Sequence, residues 1–166
     1  MDIKAKKALT IISLILLTAV YCMIFALSAD RGEESSNISR TVTAWFWHMY
    51  YSLFGGEGKG ENVIVAVNST EDIVRKIAHF MEYMAVGFLS YGIVAMWSAK
   101  LRKWFFIVFG QVVISGALDE WHQYFVPGRF ASLKDVLIDT AGGLTGIAVI
   151  LLPVMLARRK RSHPNT

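Results

Sequence analysis

The segment RKIAHFMEYMAVGF, residues 75–88, places ionisable side chains within an apolar stretch. In a helix, Glu82 and Tyr83 follow His79 by three and four residues, so the three side chains share one face. An imidazole titrates near neutral pH, and a neighbouring carboxylate can orient it for general acid–base catalysis. This spacing makes His79, oriented by Glu82, the first candidate for proton transfer.

A second polar run, GALDEWHQYFVPGRFASLKDVLIDTAGG, occupies residues 116–143 between two apolar segments. Its carboxylates Asp119, Glu120 and Asp139 are candidates to bind a divalent metal or to act as further acid–base groups. No metal-binding spacing such as H-E-x-x-H decides between these roles, so the metal and any cofactor stay unassigned. Arg129 is the candidate phosphate ligand, because its planar guanidinium matches two oxygens at once.

Four apolar segments position these residues, and they cover about residues 8–29, 77–99, 104–121 and 136–157. Each is close to the roughly 20 residues that cross a bilayer as a helix. None alternates as a strand does, and lipid offers no hydrogen-bond partner to an open backbone. With 54% hydrophobic and 18% charged residues, the chain is predicted to be an all-α, four-helix transmembrane bundle. Residues 1–166 are predicted to form a single membrane domain.

Basic residues flank alternate ends of the four segments. They are Lys4, Lys6, Lys7, Lys100, Arg102, Lys103, Arg158, Arg159, Lys160 and Arg161. By the positive-inside rule, both termini and the short central turn are predicted to be cytoplasmic in a multi-pass protein of the cell membrane. The net charge of +4 is thereby explained without nucleic acid as a partner. The N-terminal segment also resembles a signal peptide, but its apolar run of about 20 residues favours a retained helix.

With this topology, polar residues of three helices lie at the same outward-facing end of the bundle. An ionisable residue inside a span costs several kcal/mol unless it is paired or hydrated, so the group is a functional candidate. Alternatively, the acids and bases pair mutually and only fix helix register. The predicted catalytic residues are His79, Glu82, Asp119, Glu120 and Asp139. The predicted substrate-binding residues are Lys76, Tyr83, Gln123, Arg129 and Asp135.

The first connection, residues 30–76, is predicted to contain an amphipathic interfacial helix in the first extracytoplasmic loop. Its apolar positions recur every three or four residues, at Ile38, Val42, Trp45, Phe46, Met49 and Leu53. This helix lies at the membrane surface or packs on the bundle as a lid. Beyond it, the sequence predicts a flexible glycine-rich linker at 55–60, a short extended segment at 63–67, and Thr70 as the N-cap of the next helix.

Two further patterns concern the fourth apolar segment. Ser132 resembles a helix N-cap with Asp135 at N3, close to a capping box. Gly142 and Gly146 have the G-x-x-x-G spacing, which lets two helices approach closely. Packing within the chain is the favoured use of these glycines, and a homodimer is the alternative.

The two polar stretches together resemble the VanZ-like family of membrane proteins, which is named after a component linked to low-level resistance to teicoplanin. The matching positions are Lys76, His79, Glu82, Tyr83, Asp119, Glu120, Gln123, Pro127, Gly128, Arg129, Asp135, Asp139, Gly142 and Gly146. The resemblance implies a bacterial cell membrane and a role in the cell envelope. It implies no particular reaction.

Two functions remain open from the sequence. The first is an enzyme that acts on a phospholipid or lipid-linked head group at the outer leaflet and is associated with glycopeptide resistance. The second is non-catalytic binding or transport of an anionic lipid, the antibiotic or a small solute. The expected partners are membrane lipids, or a lipid-linked precursor of the envelope.

Overall fold

The computed structural model describes residues 2–30, 32–54 and 61–162. Five helices follow one another: α1 (Ile3–Ala29), α2 (Gly32–Phe54), α3 (Glu61–Trp97), α4 (Leu101–Gln123) and α5 (Leu133–Ser162). No strand occurs in these described ranges. Four helical segments within them are long and apolar enough to cross a membrane, namely Ile3–Ala29, Val63–Trp97, Leu101–Gln123 and Leu133–Ala157. The predicted all-α bundle is confirmed.

Helix α3 begins well before the predicted second span. The expected extended segment at 63–67 and the expected N-cap at Thr70 are wrong, because both lie inside this helix. Val63 and Val67 are one helical turn apart and both are buried, which outweighs the strand preference of β-branched residues. With 37 residues, α3 is about 55 Å long and exceeds the roughly 30 Å hydrocarbon core.

The amphipathic helix is α2, and it packs against the first part of α3. Trp47 donates a hydrogen bond from Nε1 to Oγ1 of Thr70 at 3.0 Å, and Arg40 forms an ion pair with Glu71. Trp45 and Leu53, on the other side of α2, are largely exposed. One face therefore packs on the bundle while apolar side chains remain on the other. The predicted glycine-rich linker at 55–60 lies outside the described residues.

The tightest helix contact joins α3 and α5. A Cβ atom added at Gly142 or Gly146 would overlap the carbonyl oxygen of Phe80 or Met84, respectively. The two backbones can approach this closely only where the side chain is hydrogen. Both glycines therefore serve packing within the chain, as the favoured interpretation predicted.

The helix ends that carry the polar residues meet at one end of the bundle. The C-terminal ends of α1 and α4 lie beside the N-terminal end of α5, and α3 passes them with residues 75–83. At the opposite end, Trp97 of α3 donates a hydrogen bond to Thr10 of α1 at 2.8 Å. A small apolar cluster of Ile24, Tyr83, Val86 and Val112 lies between the two ends. The polar end is thus fixed by packed helices rather than by loops alone.

Candidate functional site

His79 of α3 lies between two carboxylates. Its Nδ1 is 3.8 Å from Oε2 of Glu82 and 3.8 Å from Oδ1 of Asp139 in α5. Both distances are too long for hydrogen bonds. Within the described part of the chain, His79 Nδ1 and both carboxylate oxygens of Asp139 are buried without a hydrogen-bond partner. The imidazole therefore faces Asp139 across a buried polar gap.

Asp119 of α4 is held in place by two hydrogen bonds. Ser28 of α1 donates its hydroxyl to Oδ1 at 2.5 Å, and Gln123 donates from Nε2 to Oδ2 at 3.0 Å. Ser28 is almost completely buried and was not among the predicted site residues. The sequence signal is weak, because α1 also contains hydroxyl side chains at Thr10, Ser13 and Thr18, and Ser28 differs from them only in lying in the last turn. That residue brings α1 into the site as a fourth helix.

His79, Asp119 and Asp139 form the polar centre. Each offers one potential ligand atom, and these atoms all lie within 4.8 Å of one another. The three residues come from α3, α4 and α5, and 40 positions separate His79 from Asp119 along the chain. The structure thus brings together three of the predicted catalytic residues, with Glu82 adjacent to His79.

Glu120 holds the start of α5. Its Oε2 accepts a hydrogen bond from the backbone N–H of Ser132 at 2.6 Å. In a capping box, the side chain at N3 accepts this hydrogen bond from the N–H of the N-cap residue. Here Glu120 of α4 accepts it instead of Asp135. Oδ1 of Asp135 and Oε1 of Glu120 are buried without a hydrogen-bond partner in the described ranges. Both acids line the same end of the bundle as the polar centre.

Arg129, in the turn before α5, binds the end of α1. Its guanidinium donates to the carbonyl oxygens of Leu27 at 2.7 Å and Asp30 at 3.3 Å, and to Oε1 of Gln123 at 3.3 Å. These bonds satisfy carbonyls that a helix end leaves open. Burial, followed by repulsion from Arg75, lowers the pKa of Arg129, yet a guanidinium stays cationic at neutral pH. Two of its five N–H groups are left for a ligand.

The remaining predicted substrate-binding residues differ in their surroundings. Tyr83 is almost fully buried in the apolar cluster, and Gln123 is buried between Ser28 and Asp119. Lys76 is exposed and makes no hydrogen bond or ion pair with the described residues. The structure therefore places Tyr83 and Gln123 beside the polar centre and Lys76 outside it.

Within the described ranges, the buried acids are not neutralised by ion pairs with lysine or arginine side chains. Arg75 pairs with the exposed Asp72 at 2.8 Å, and Arg129 binds carbonyl and amide oxygens. Among the residues that the structure describes, no lysine or arginine nitrogen lies within 4.0 Å of a carboxylate of Glu82, Asp119, Glu120, Asp135 or Asp139. The interpretation that these charges only fix helix register by pairing with one another loses its main support.

A cavity of about 140 Å³ lies next to the polar centre; we call it the side cavity. Its polar lining consists of Asp30, Ser39, Arg75, His79, Glu82 and Arg129, and α2 closes it with Ile38 and Val42. Because His79 belongs to both the side cavity and the polar centre, a group bound in the side cavity would be in reach of the polar centre. Its guanidinium groups can bind an anion, and the carboxyl groups of Asp30 and Glu82 lie in the same lining.

A comparison with known protein families shows which family the chain belongs to. A family model described as VanZ/LLP1 matches residues 13–156. The chain belongs to the VanZ/LLP1 family. The VanZ/LLP1 match includes the polar centre, every residue lining the side cavity and all five helices in whole or in part. Together with the four apolar helices, it identifies a multi-pass membrane protein. Comparisons with curated proteins and with solved structures give no significant match.

Proposed function

We propose that this VanZ/LLP1 protein binds the phosphate-bearing head group of a phospholipid or lipid-linked envelope precursor in the side cavity. In this proposal, the polar centre then acts on the bound group chemically. One observation carries the proposal: Arg75 and Arg129 line a cavity that also contains His79 of the polar centre. Cations for an anionic group and a proton-transfer residue thus lie in one place.

The residues have distinct roles in this proposal. Arg129 binds phosphate oxygens with its two free N–H groups, and Arg75 adds a second positive charge. His79 transfers a proton, and the carboxyl groups of Glu82 and Asp139, each 3.8 Å from its Nδ1, favour the protonated ring when they are charged. The hydrogen bond from Ser28 fixes the carboxylate of Asp119. Its position therefore does not have to change when the reaction takes place.

The size of the side cavity limits the substrate. Its volume of about 140 Å³ is below the roughly 300–1,000 Å³ of pockets that bury drug-sized ligands. A phosphate with a small substituent fits this space, but a whole glycopeptide antibiotic does not. We therefore propose that any link to teicoplanin resistance is indirect and arises through an altered lipid surface.

We further propose that the protein lies in the bacterial cell membrane with both termini cytoplasmic, so that the polar centre faces outward. The support is the distribution of basic residues. Lys100, Arg102 and Lys103 lie in or next to the turn between α3 and α4, at the end of the bundle opposite the polar centre. The head group would accordingly come from the outer leaflet.

Orientation is tested by cysteine labelling in intact cells. Cys22 is the single cysteine, so Cys22→Ser provides a background free of thiols. In that background, Lys134→Cys near the polar centre should react with a membrane-impermeant maleimide in intact cells. Lys100→Cys, at the opposite end, should react only after permeabilisation. Labelling with the opposite pattern would contradict an outward-facing site.

Non-catalytic binding or transport is the second candidate function. Buried acids beside an imidazole within membrane spans also occur in proton and solute pathways, and the polar centre has this composition. A homodimer remains compatible with either function. It would have to use a surface other than Gly142 and Gly146, because those glycines contact α3 of the same chain.

The proposed activity is tested on lipids. The purified protein in detergent is incubated with bacterial lipid extract and divalent cations, and lipid masses are followed. We expect new products, and His79→Ala should lower their rate of formation by about 10²–10⁴, as loss of a general acid–base group does. Asp119→Ala should also abolish the products, whereas Lys103→Ala, at the far end of the bundle, should leave them unchanged.

The outcomes of this experiment separate the candidate functions. Lipid that stays bound to the wild-type protein without a change in mass would favour non-catalytic binding. If the wild-type protein neither retains nor alters any lipid, the head-group proposal is wrong. A loss of folded protein in both variants, with wild-type lipid behaviour unaffected in the fraction that folds, would assign them a structural role.

A further inference from the structure

The polar centre contains two buried carboxylates without a positive partner. Asp139 is 0% exposed and Asp119 is 8% exposed. Within residues 2–30, 32–54 and 61–162, no lysine or arginine nitrogen lies within 4.0 Å of either. A charged carboxylate inside a membrane span costs several kcal/mol unless a partner compensates it. A cation in the polar centre would supply that partner.

Two unpartnered atoms of the polar centre, one from His79 and one from Asp139, face each other. Both oxygens of Asp139 and Nδ1 of His79 are buried without a hydrogen-bond partner in the described ranges, and Oδ1 lies 3.8 Å from Nδ1. Asp119 presents a carboxylate oxygen to the same gap. Buried polar groups are normally satisfied, so three open acceptor atoms indicate a bound group. We propose that His79, Asp119 and Asp139 bind one divalent transition-metal ion.

The ligand types suit such an ion. Two carboxylates carry two negative charges, which a divalent cation neutralises. Calcium and magnesium prefer oxygen ligands throughout, whereas an imidazole nitrogen favours zinc, copper, iron or nickel. Ligand atoms around a tetrahedral metal lie about 3.4 Å apart when the bonds are about 2.1 Å long. The three ligand atoms lie within 4.8 Å of one another, so they must approach one another by at most roughly 1.4 Å on binding.

Neighbouring residues hold the ligands in place. Ser28 and Gln123 donate hydrogen bonds to Asp119 and fix the direction of its carboxylate. Partners of this kind orient metal ligands and typically contribute 10–100-fold to affinity. Gly116 of α4 leaves room for Asp139, since a Cβ atom there would lie only 3.2 Å from Cβ of Asp139. The centre is thus supported by α1 and α4 as well as by its own helices.

Three protein ligands leave coordination positions open, as in catalytic metal sites. The side cavity reaches the polar centre at His79, so an open position is accessible to a bound group. An ion bound through Nδ1 leaves only Nε2 of His79 for proton transfer in the proposed head-group chemistry, and the metal inference does not depend on that chemistry. Metal binding is measurable in the absence of any lipid substrate.

The inference is tested with Co²⁺ as the probe. The full chain, purified in detergent and treated with chelator, is titrated with Co²⁺ while visible absorption and calorimetric heat are recorded. We expect one Co²⁺ per chain with a nitrogen ligand, and Zn²⁺ should displace it while excess Mg²⁺ should not. Wild-type protein that binds no Co²⁺ in stoichiometric amount would overturn the inference.

Variants locate the ion. Asp139→Asn and His79→Gln each remove one ligand and should lower Co²⁺ affinity by well over tenfold, whereas Ser28→Ala should lower it by about 10–100-fold. Asp72→Asn, an exposed acid on the same side of the bundle, should bind Co²⁺ like the wild-type protein. Equal binding by Asp139→Asn and His79→Gln would place the ion elsewhere and overturn the assignment. Size-exclusion chromatography checks that both variants fold. If only one of them folds, its Co²⁺ affinity alone tests the assignment.

Discussion

Asp139→Asn is expected to stabilise the metal-free protein. Asp139 is 0% exposed, neither of its oxygens has a hydrogen-bond partner in the described residues, and no basic side chain there compensates its charge. An unsatisfied buried polar group costs about 1–3 kcal/mol, and more if charged. The amide keeps the shape of the side chain and is itself without a partner there, so the expected gain comes only from removing the group's ability to ionise. For a chain of this size, each kcal/mol raises the midpoint of thermal unfolding by about 2–4 °C.

Adding metal should reverse this order of stability. An ion that binds only the folded state stabilises it by about 2.7 kcal/mol at a concentration 100 times the Kd. Wild-type protein should therefore gain stability with Zn²⁺ or Co²⁺, while Asp139→Asn should gain little. Thermal unfolding of both proteins, with chelator and with metal, provides the measurement, and Asp72→Asn is the control for removing an exposed acid.

A destabilised Asp139→Asn protein would support a different account. If Asp139 served the fold through hydrogen bonds or ion pairs, its loss would lower the midpoint in chelator. We predict that Asp139→Asn gains stability and loses metal binding. That result would show that Asp139 serves function and lowers the stability of the metal-free protein.

Gly146→Ala is expected to have a large effect in the opposite direction. A Cβ atom at position 146 would overlap the carbonyl oxygen of Met84 and lie 2.6 Å from the backbone nitrogen of Phe88. Because these are backbone atoms, α3 and α5 must move apart to accept even one methyl group. Overpacking typically costs about 1–3 kcal/mol, and contact with backbone favours the upper part of that range. His79 in α3 and Asp139 in α5 would separate with the helices.

Gly92→Ala is the matched control. It lies in the same helix α3 as Met84 and Phe88, but an added Cβ atom would have no heavy atom within 4 Å. Alanine should stabilise that helix by up to about 1 kcal/mol. We expect Gly146→Ala to lower the thermal midpoint and Co²⁺ affinity, and Gly92→Ala to leave affinity unchanged. Similar effects of the two substitutions would contradict close packing of α3 on α5.

Much of the architecture could be predicted because it follows from hydropathy and the distribution of charge. Four apolar segments gave the four candidate spans, and alternating basic flanks predicted which helix ends lie together. That topology places His79, Asp119 and Asp139 at the same end of the bundle, and the structure brings their ligand atoms within 4.8 Å of one another. The spacing of Gly142 and Gly146 likewise predicted close packing, which the contacts with α3 confirm.

Other features depend on tertiary contacts that no local pattern reveals. The N-terminal part of α3 is helical because Val63 and Val67 are buried beside α2, although their residue types favour strands. Ser28 reaches Asp119 across 91 positions of sequence, and Glu120 replaces Asp135 at the N-terminus of α5. Arg129 binds carbonyl groups of α1, which its position in a turn did not indicate. Each of these contacts joins residues that are distant along the chain.

A double-mutant cycle between Asp119→Asn and Asp139→Asn tests most directly whether separate helices form one polar centre. The free energy of unfolding is measured in chelator for the wild-type protein, both single variants and the double variant. If the two carboxylates share one buried gap, the effects are coupled by at least about 0.5 kcal/mol, because removing one charge lessens the gain from removing the other. Additive effects would show that Asp119 and Asp139 do not interact, and the proposed centre would not exist.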